Sequence, residues 1–181
     1  MAFARAKKRE PLTQEGLMSY ALGALARRMR TVRDLRRLMK TRAEEGEAGE
    51  RAMDAVVERL KELNYLSDER FAADYTRVRK EGEKFGRRRV QQDLMMKGVK
   101  SDVVTEALDT GYEGVDELVL AREYVARKRI QKPVDEKESA RVMRRMVRAG
   151  FSMGIIFKLF KSWAVPVEGL EGVEDEDLPR F

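Results

Sequence analysis

The chain has 181 residues, enough for one or two domains with a real core, and its 43% apolar and 39% charged residues describe a heavily charged but folding sequence. It carries no Cys and no His, which excludes disulfides, thiolate and imidazole metal sites, the usual thiol nucleophile and the commonest general base. The net charge of +6 conceals a split: residues 166–181 hold six acids and one Arg, net −5, leaving 37 basic and 26 acidic side chains in residues 1–165, net +11.

Ala, Leu, Met, Glu, Lys and Arg dominate and Pro occurs four times, so helix is the default state. No apolar run approaches the roughly 20 residues of a membrane span. The opening MAFARAKKRE lacks the apolar stretch of a signal peptide, so a soluble, cytoplasmic protein is expected. A basic extension over 1–11 precedes the first helical pattern. That pattern begins near Thr13, with Leu17, Met18, Ala21, Leu22 and Leu25 at helical spacing. A second helix opens at Thr31-Val-Arg-Asp34, a capping-box pattern, with Val32, Leu35, Leu38 and Met39 as its stripe. The acidic, glycine-containing EEGEAGE (44–50) reads as a solvated loop rather than a metal cluster. A third helix follows with Met53, Val56, Val57, Leu60 and Leu63.

Ser67-Asp68 caps the next helix, striped by Phe71, Ala72, Tyr75 and Val78. Another helix, opened by Gly86 and closed by Gly98, carries Val90, Leu94 and Met95. A further one carries Val103, Val104, Ala107 and Leu108. From Val115 a helix with Leu118, Ala121, Tyr124 and Val125 is expected to reach Lys132-Pro133. The next holds Val142, Met146 and Val147 and closes at Gly150. The last holds Ile155, Ile156, Leu159, Phe160 and Trp163, stopped by Pro166. Most of the ten methionines fall on these apolar stripes and read as packing.

Val90, Leu94, Gly98, Val99, Val103, Val104 and Leu108 superpose on Val142, Met146, Gly150, Phe151, Ile155, Ile156 and Phe160 at an offset of 52 residues. Leu35 and Met39 fall more loosely on Val90 and Leu94. The expectation is an all-α protein of three tandem three-helix repeats, over 12–66, 67–112 and 113–165, forming an elongated, curved molecule. The acidic tail over 166–181 either competes for the partners of the basic body or serves as a solubilising end.

Helical phase supplies the candidate binding residues. With Val90 at zero and 100° per residue, Leu94 lies near 40°, while Arg88, Gln92, Met96 and Arg89 lie between about 160° and 260°. The equivalent outer sector holds Arg33 and Arg37 in the first group and Arg141, Arg144 and Arg148 in the third. Arg87 lies nearer the core side, within reach of Glu81 or Glu83. Three arginines at the positive end of one helix dipole oppose the helix locally, so an anionic partner surface is expected to meet the outer ones. Met96 among them suits a protein partner better than bare phosphate. No catalytic constellation, no GxxxxGK[ST] phosphate loop and no cofactor motif is present, so catalysis and cofactors are not expected.

The run Asn64-Tyr-Leu-Ser-Asp-Glu-Arg-Phe-Ala-Ala-Asp-Tyr75, followed by Phe85-Gly-Arg-Arg-Arg-Val-Gln-Gln-Asp-Leu94 and Lys97-Gly-Val99, resembles the bacterial recombination regulators of the RecX family. Leu25-Ala-Arg-Arg-Met-Arg-Thr-Val-Arg-Asp-Leu35 is similar to that family's opening unit. The resemblance spans about residues 12–165 and is densest between 60 and 108. Arg87 stands where the family often has proline, Val90 and Val99 replace isoleucine, and Asp93 replaces glutamate. The resemblance implies a non-enzymatic modulator of the RecA recombinase, and a monomer is expected. It would bind RecA free or as a filament on single-stranded DNA and hinder strand exchange, ATP hydrolysis and stimulated repressor cleavage. A direct DNA-binding protein, using the same basic face on phosphates, is the alternative.

Overall fold

The computed structural model describes residues 10–165, and among these every regular element is a helix. Helices α1 (Gln14–Arg27), α2 (Val32–Lys40) and α3 (Glu47–Glu62) occupy the first stretch. Helices α4 (Asp68–Glu83), α5 (Arg87–Met96) and α6 (Ser101–Gly111) follow, and then α7 (Glu117–Arg127), α8 (Glu136–Arg148) and α9 (Met153–Ser162). The protein is all-α, with three helices in each of the stretches 12–66, 67–112 and 113–165. Two compact units form in space. One comprises residues up to Ala72 with Leu94–Val104; the other comprises Ala73–Asp93 with the residues from Thr105 onward. The division passes through α4, α5 and α6. The expected extension over 1–11 lies almost wholly outside the described residues, and the tail over 166–181, including Pro166, wholly so.

Local chemistry starts and stops the helices where the sequence signals them. Thr13 caps α1 by accepting from Gly16 N, and the Thr31 hydroxyl accepts from Asp34 N at 3.1 Å. The returning half of the expected capping box is not made: Asp34 engages Arg37, while Asp68 Oδ1 takes a different free amide of the first turn, that of Val32, at 2.9 Å. Ser67 Oγ accepts from Arg70 N, while Asp116 and Asp135 cap α7 and α8. Five helices close alike, with a left-handed residue whose following amide reaches back five positions, the Schellman arrangement. Gly98 and Gly150 supply that conformation for α5 and α8, with Val99 N on Leu94 O and Phe151 N on Met146 O, both at 3.2 Å. Asn64, Arg129 and Ala164 adopt it for α3, α7 and α9.

The 52-residue correspondence extends to burial. Leu94 and Met146 are fully enclosed, Val99 and Phe151 are buried, Val104 and Ile156 are buried, and Leu108 and Phe160 are buried, while Val103 and Ile155 are partly exposed. In the first unit Leu17, Ala21, Ala24, Leu35, Met39, Met53, Val56, Val57, Leu60 and Leu66 form one apolar cluster. In the second unit, aromatic rings run from Phe85 to Tyr124 (6.3 Å between centroids) and on to Phe151 (5.6 Å). Phe160 stacks on Trp163 at 5.9 Å.

A three-fold recurrence links these helices. The carbonyls of Arg42, Lys97 and Ala149 occupy corresponding places at the ends of α2, α5 and α8. Each accepts a hydrogen bond from a segment earlier in the chain: Leu12 N at 2.8 Å, Thr31 Oγ1 at 2.9 Å and Gly86 N at 2.8 Å. At the last of these the backbones touch. A Cβ on Gly86 would lie 2.4 Å from Gly150 O, and one on Gly150 would lie 2.4 Å from Arg89 N, so only glycine fits on either side.

Several expectations are corrected. The stretch 44–50 is a loop only to Gly46. Residues 47–50 form the first turn of α3, where Glu47 and Glu50 complement the helix dipole. Gly49 is buried there, and a Cβ would lie 1.9 Å from Glu44 O. Helix α7 ends at Arg127 rather than near Pro133, because Arg129 turns left-handed. Leu63 and Val78 are exposed: Leu63 follows the last turn of α3, and Thr76, four residues after Ala72, takes the inward position on α4. Leu120 is buried where Leu118 is only partly covered. The methionines divide: Met39, Met53, Met143 and Met146 are buried, whereas Met29, Met95 and Met96 are exposed.

Candidate partner-binding surface

Helix α5 begins with the three arginines, and each meets a different environment. Arg87 pairs with Asp109 of α6. The expected partners Glu81 and Glu83 are not used. Glu83 instead holds Lys128 at 2.7 Å, and that contact lowers its carboxyl pKa from the usual value. Arg88 is exposed and, with exposed Gln92 and Met96, forms a stripe at four-residue spacing. Met95 beside it is 52% exposed and Met96 57%, so the outward side of α5 offers two adjacent thioethers with an arginine and an amide.

Arg89 is turned inward. Its Nε lies 3.1 Å from Oδ1 of Asp93, whose own surface is only 7% exposed, and its guanidinium lies 5.8 Å from the Phe85 ring centre. Asp93 also accepts the Tyr75 hydroxyl at 3.0 Å, and burial raises the pKa of that phenol. By helical phase Arg89 falls at the margin of the outer sector, about 100° from Val90. From there a long side chain folds back one turn onto an acid at i+4, so its local role is structural.

On α2, Arg33 and Arg37 are both exposed. Arg37 lies 3.2 Å from Asp34. The Arg33 stem lies over Gly98, where a Cβ would meet its Cδ at 2.1 Å, and its Nη1 reaches Met96 O at 3.5 Å. Arg33 and Met96, both candidates, are thereby neighbours. Arg36 is engaged on the other side of the helix by Glu50 at 2.9 Å and by Asp54.

Helix α8 differs. Arg141, Arg144 and Arg148 are exposed, and so is Arg145, which helical phase left out because it falls about 60° from the core pole. An arginine there extends its charge past the apolar edge into water. Beneath them Val142, Met143 and Met146 are buried. Among the described residues no acid pairs with any of the four. No described group of three or more acidic side chains is arranged to hold a metal.

The family described as "RecX, second three-helix domain" matches residues 67–108, which span α4, α5 and α6. A regulatory protein RecX of Chromobacterium violaceum is 34% identical over 142 residues, covering 78% of this chain and 87% of that one. The chain belongs to the RecX family. A second RecX relative, from Leptothrix cholodnii, is 33% identical over 148 residues, 82% of this chain and 89% of its own. Among solved folds, the crystal structure of RecX from Lactobacillus salivarius superposes with a TM-score of 0.64 at 17% identity, covering 83% of this chain and 96% of that one. A further crystal structure of regulatory protein RecX gives 0.65 at 21% identity, covering 82% and 71%. These RecX folds establish the all-helical architecture. The relatives named regulatory proteins make a regulatory role the shared description. No helix among the described residues is long and apolar enough to cross a membrane.

Proposed function

We propose that this chain is a regulator rather than an enzyme, and that it binds the RecA recombinase, free or as a filament on single-stranded DNA. Binding chiefly restrains recombination, ATP hydrolysis and stimulated repressor cleavage. The observation that carries the reading is similarity to proteins named regulatory protein RecX across about four fifths of the chain. The exposed side chains support it: Arg33, Arg37, Arg88, Gln92, Met96, Arg141, Arg144 and Arg148 present cations alongside a polarizable apolar group. That combination suits an acidic protein surface with apolar spots. Arg89 contributes through the fold of α5 rather than by contact.

Co-sedimentation with the host's own RecA tests this, run with and without nucleotide and single-stranded DNA. The expected result is capture that depends on RecA, with inhibition of filament ATP hydrolysis over the same concentration range. Equal capture by DNA alone would replace this reading with direct phosphate binding by the same arginines.

A further inference from the structure

Helix α8 carries a stripe of one charge. Arg141, Arg144, Arg145 and Arg148 stand at i, i+3, i+4 and i+7, so four guanidinium groups share one side of the helix over about 10 Å of its length. The like charges at i and i+4 oppose the helix instead of bracing it. The arginines of the other two middle helices are largely satisfied within the fold, by Asp34, Glu50 and Asp54 on one and by Asp109 and Asp93 on the other. The α8 stripe has no such partner among the described residues.

The complementary charge follows shortly in the chain. Six acids, Glu168, Glu171, Glu174, Asp175, Glu176 and Asp177, lie beyond Val165, the last described residue. Helix α9 is 10 residues long and begins shortly after α8 ends. The start of the tail therefore lies within about 30 Å of Arg148. Sixteen residues extend up to roughly 55 Å, enough for residues 168–177 to run the length of the stripe. A tether this short holds the acids at millimolar effective concentration.

We propose that the acidic segment 168–177 is the resident occupant of the α8 arginine stripe, a polyanion-binding surface that an outside anionic ligand gains only by displacing it. The association is ionic, weakens as salt shortens the screening length, and requires no RecA.

The absence of native cysteine allows a single label. In the full chain, Val173→Cys carrying a nitroxide is expected to broaden the backbone amide signals of residues 139–149 at about 20 mM salt and to release them at about 500 mM. Replacing Arg141, Arg144, Arg145 and Arg148 with Gln is expected to abolish the low-salt broadening. Absence of α8 broadening, or its persistence in the four-Gln chain, overturns the proposal. A second arm leaves α8 intact and amidates the six acids in the full chain, with heparin as the polyanion probe. Affinity at low salt is expected to rise about tenfold, and by less than about twofold when the four arginines are also Gln. Equal gains in both backgrounds would mean a general charge effect and overturn the proposal. Neither arm contains RecA, so failure here leaves the RecA reading untouched, and the reverse.

Discussion

Asp68 helps and hinders the fold at once. Its carboxylate caps the Val32 amide at 2.9 Å, yet burial raises its pKa more than that hydrogen bond and the nearby lysines lower it. A carboxyl whose folded pKa lies above its unfolded value contributes stability that is fully present below the unfolded pKa and is lost as pH rises through the folded one. Asp68→Asn keeps an oxygen for Val32 and removes the buried charge. Urea unfolding should find it as stable as wild type or more so at pH 7, with the advantage shrinking toward pH 4. Arg88 and Arg89, adjacent in sequence, should part company in the same assay. Arg88→Gln is expected to change stability by less than about 0.5 kcal/mol, as an exposed substitution does. Arg89→Gln leaves Asp93 buried without its cation and should cost about 1–3 kcal/mol. Their adjacency was legible in the sequence and their difference was not. It depends on Asp93 being enclosed beside Tyr75, which periodicity does not report.

At the scale of elements, the helix ends carry the specificity. Gly150 combines a φ of +92° with a backbone approach that leaves no room for a side chain. Gly150→Ala should therefore cost at least about 2 kcal/mol, the left-handed penalty alone being about 1–2. Gly114 also has positive φ, but open space surrounds it, so Gly114→Ala is the control and should cost only the conformational part. Thr31 is fully buried, donates to Lys97 O and accepts from Asp34 N. Thr31→Val keeps its shape and orphans both groups, which is expected to lower stability by about 2–3 kcal/mol in denaturant unfolding. The caps and closing glycines were readable because their residue types are nearly obligatory. The start of α3 is hidden because two glycines in an acidic run signal a loop. One of them instead admits the Glu44 carbonyl against the first turn of a helix.

For the whole molecule, charge was legible in amount and not in pairing. Residues 1–165 carry a net +11, but which arginines point outward depends on contacts such as Arg87 with Asp109, made between distant positions. The arginines that remain outward supply a global test. Arg37, Arg88 and Arg144, each replaced by Gln in one chain, should leave the melting temperature nearly unchanged. Affinity for RecA filaments should weaken about tenfold or more, read from co-sedimentation. A chain that melts much earlier would assign these residues to the fold.

The three capped carbonyls also impose an order in time. Thr31 and Lys97 are 66 residues apart, and Gly86 and Ala149 are separated by a similar length. At a synthesis rate of about 5–20 residues per second, Thr31 emerges from the ribosome roughly 3–13 s before its acceptor exists. The first helices cannot finish their contacts until the α5–α6 turn has been made, and the start of α5 waits in turn for the end of α8. A nascent chain halted after residue 112 would hold Gly86 with no carbonyl to receive it, so native closure of the middle helices comes only with the last stretch of translation.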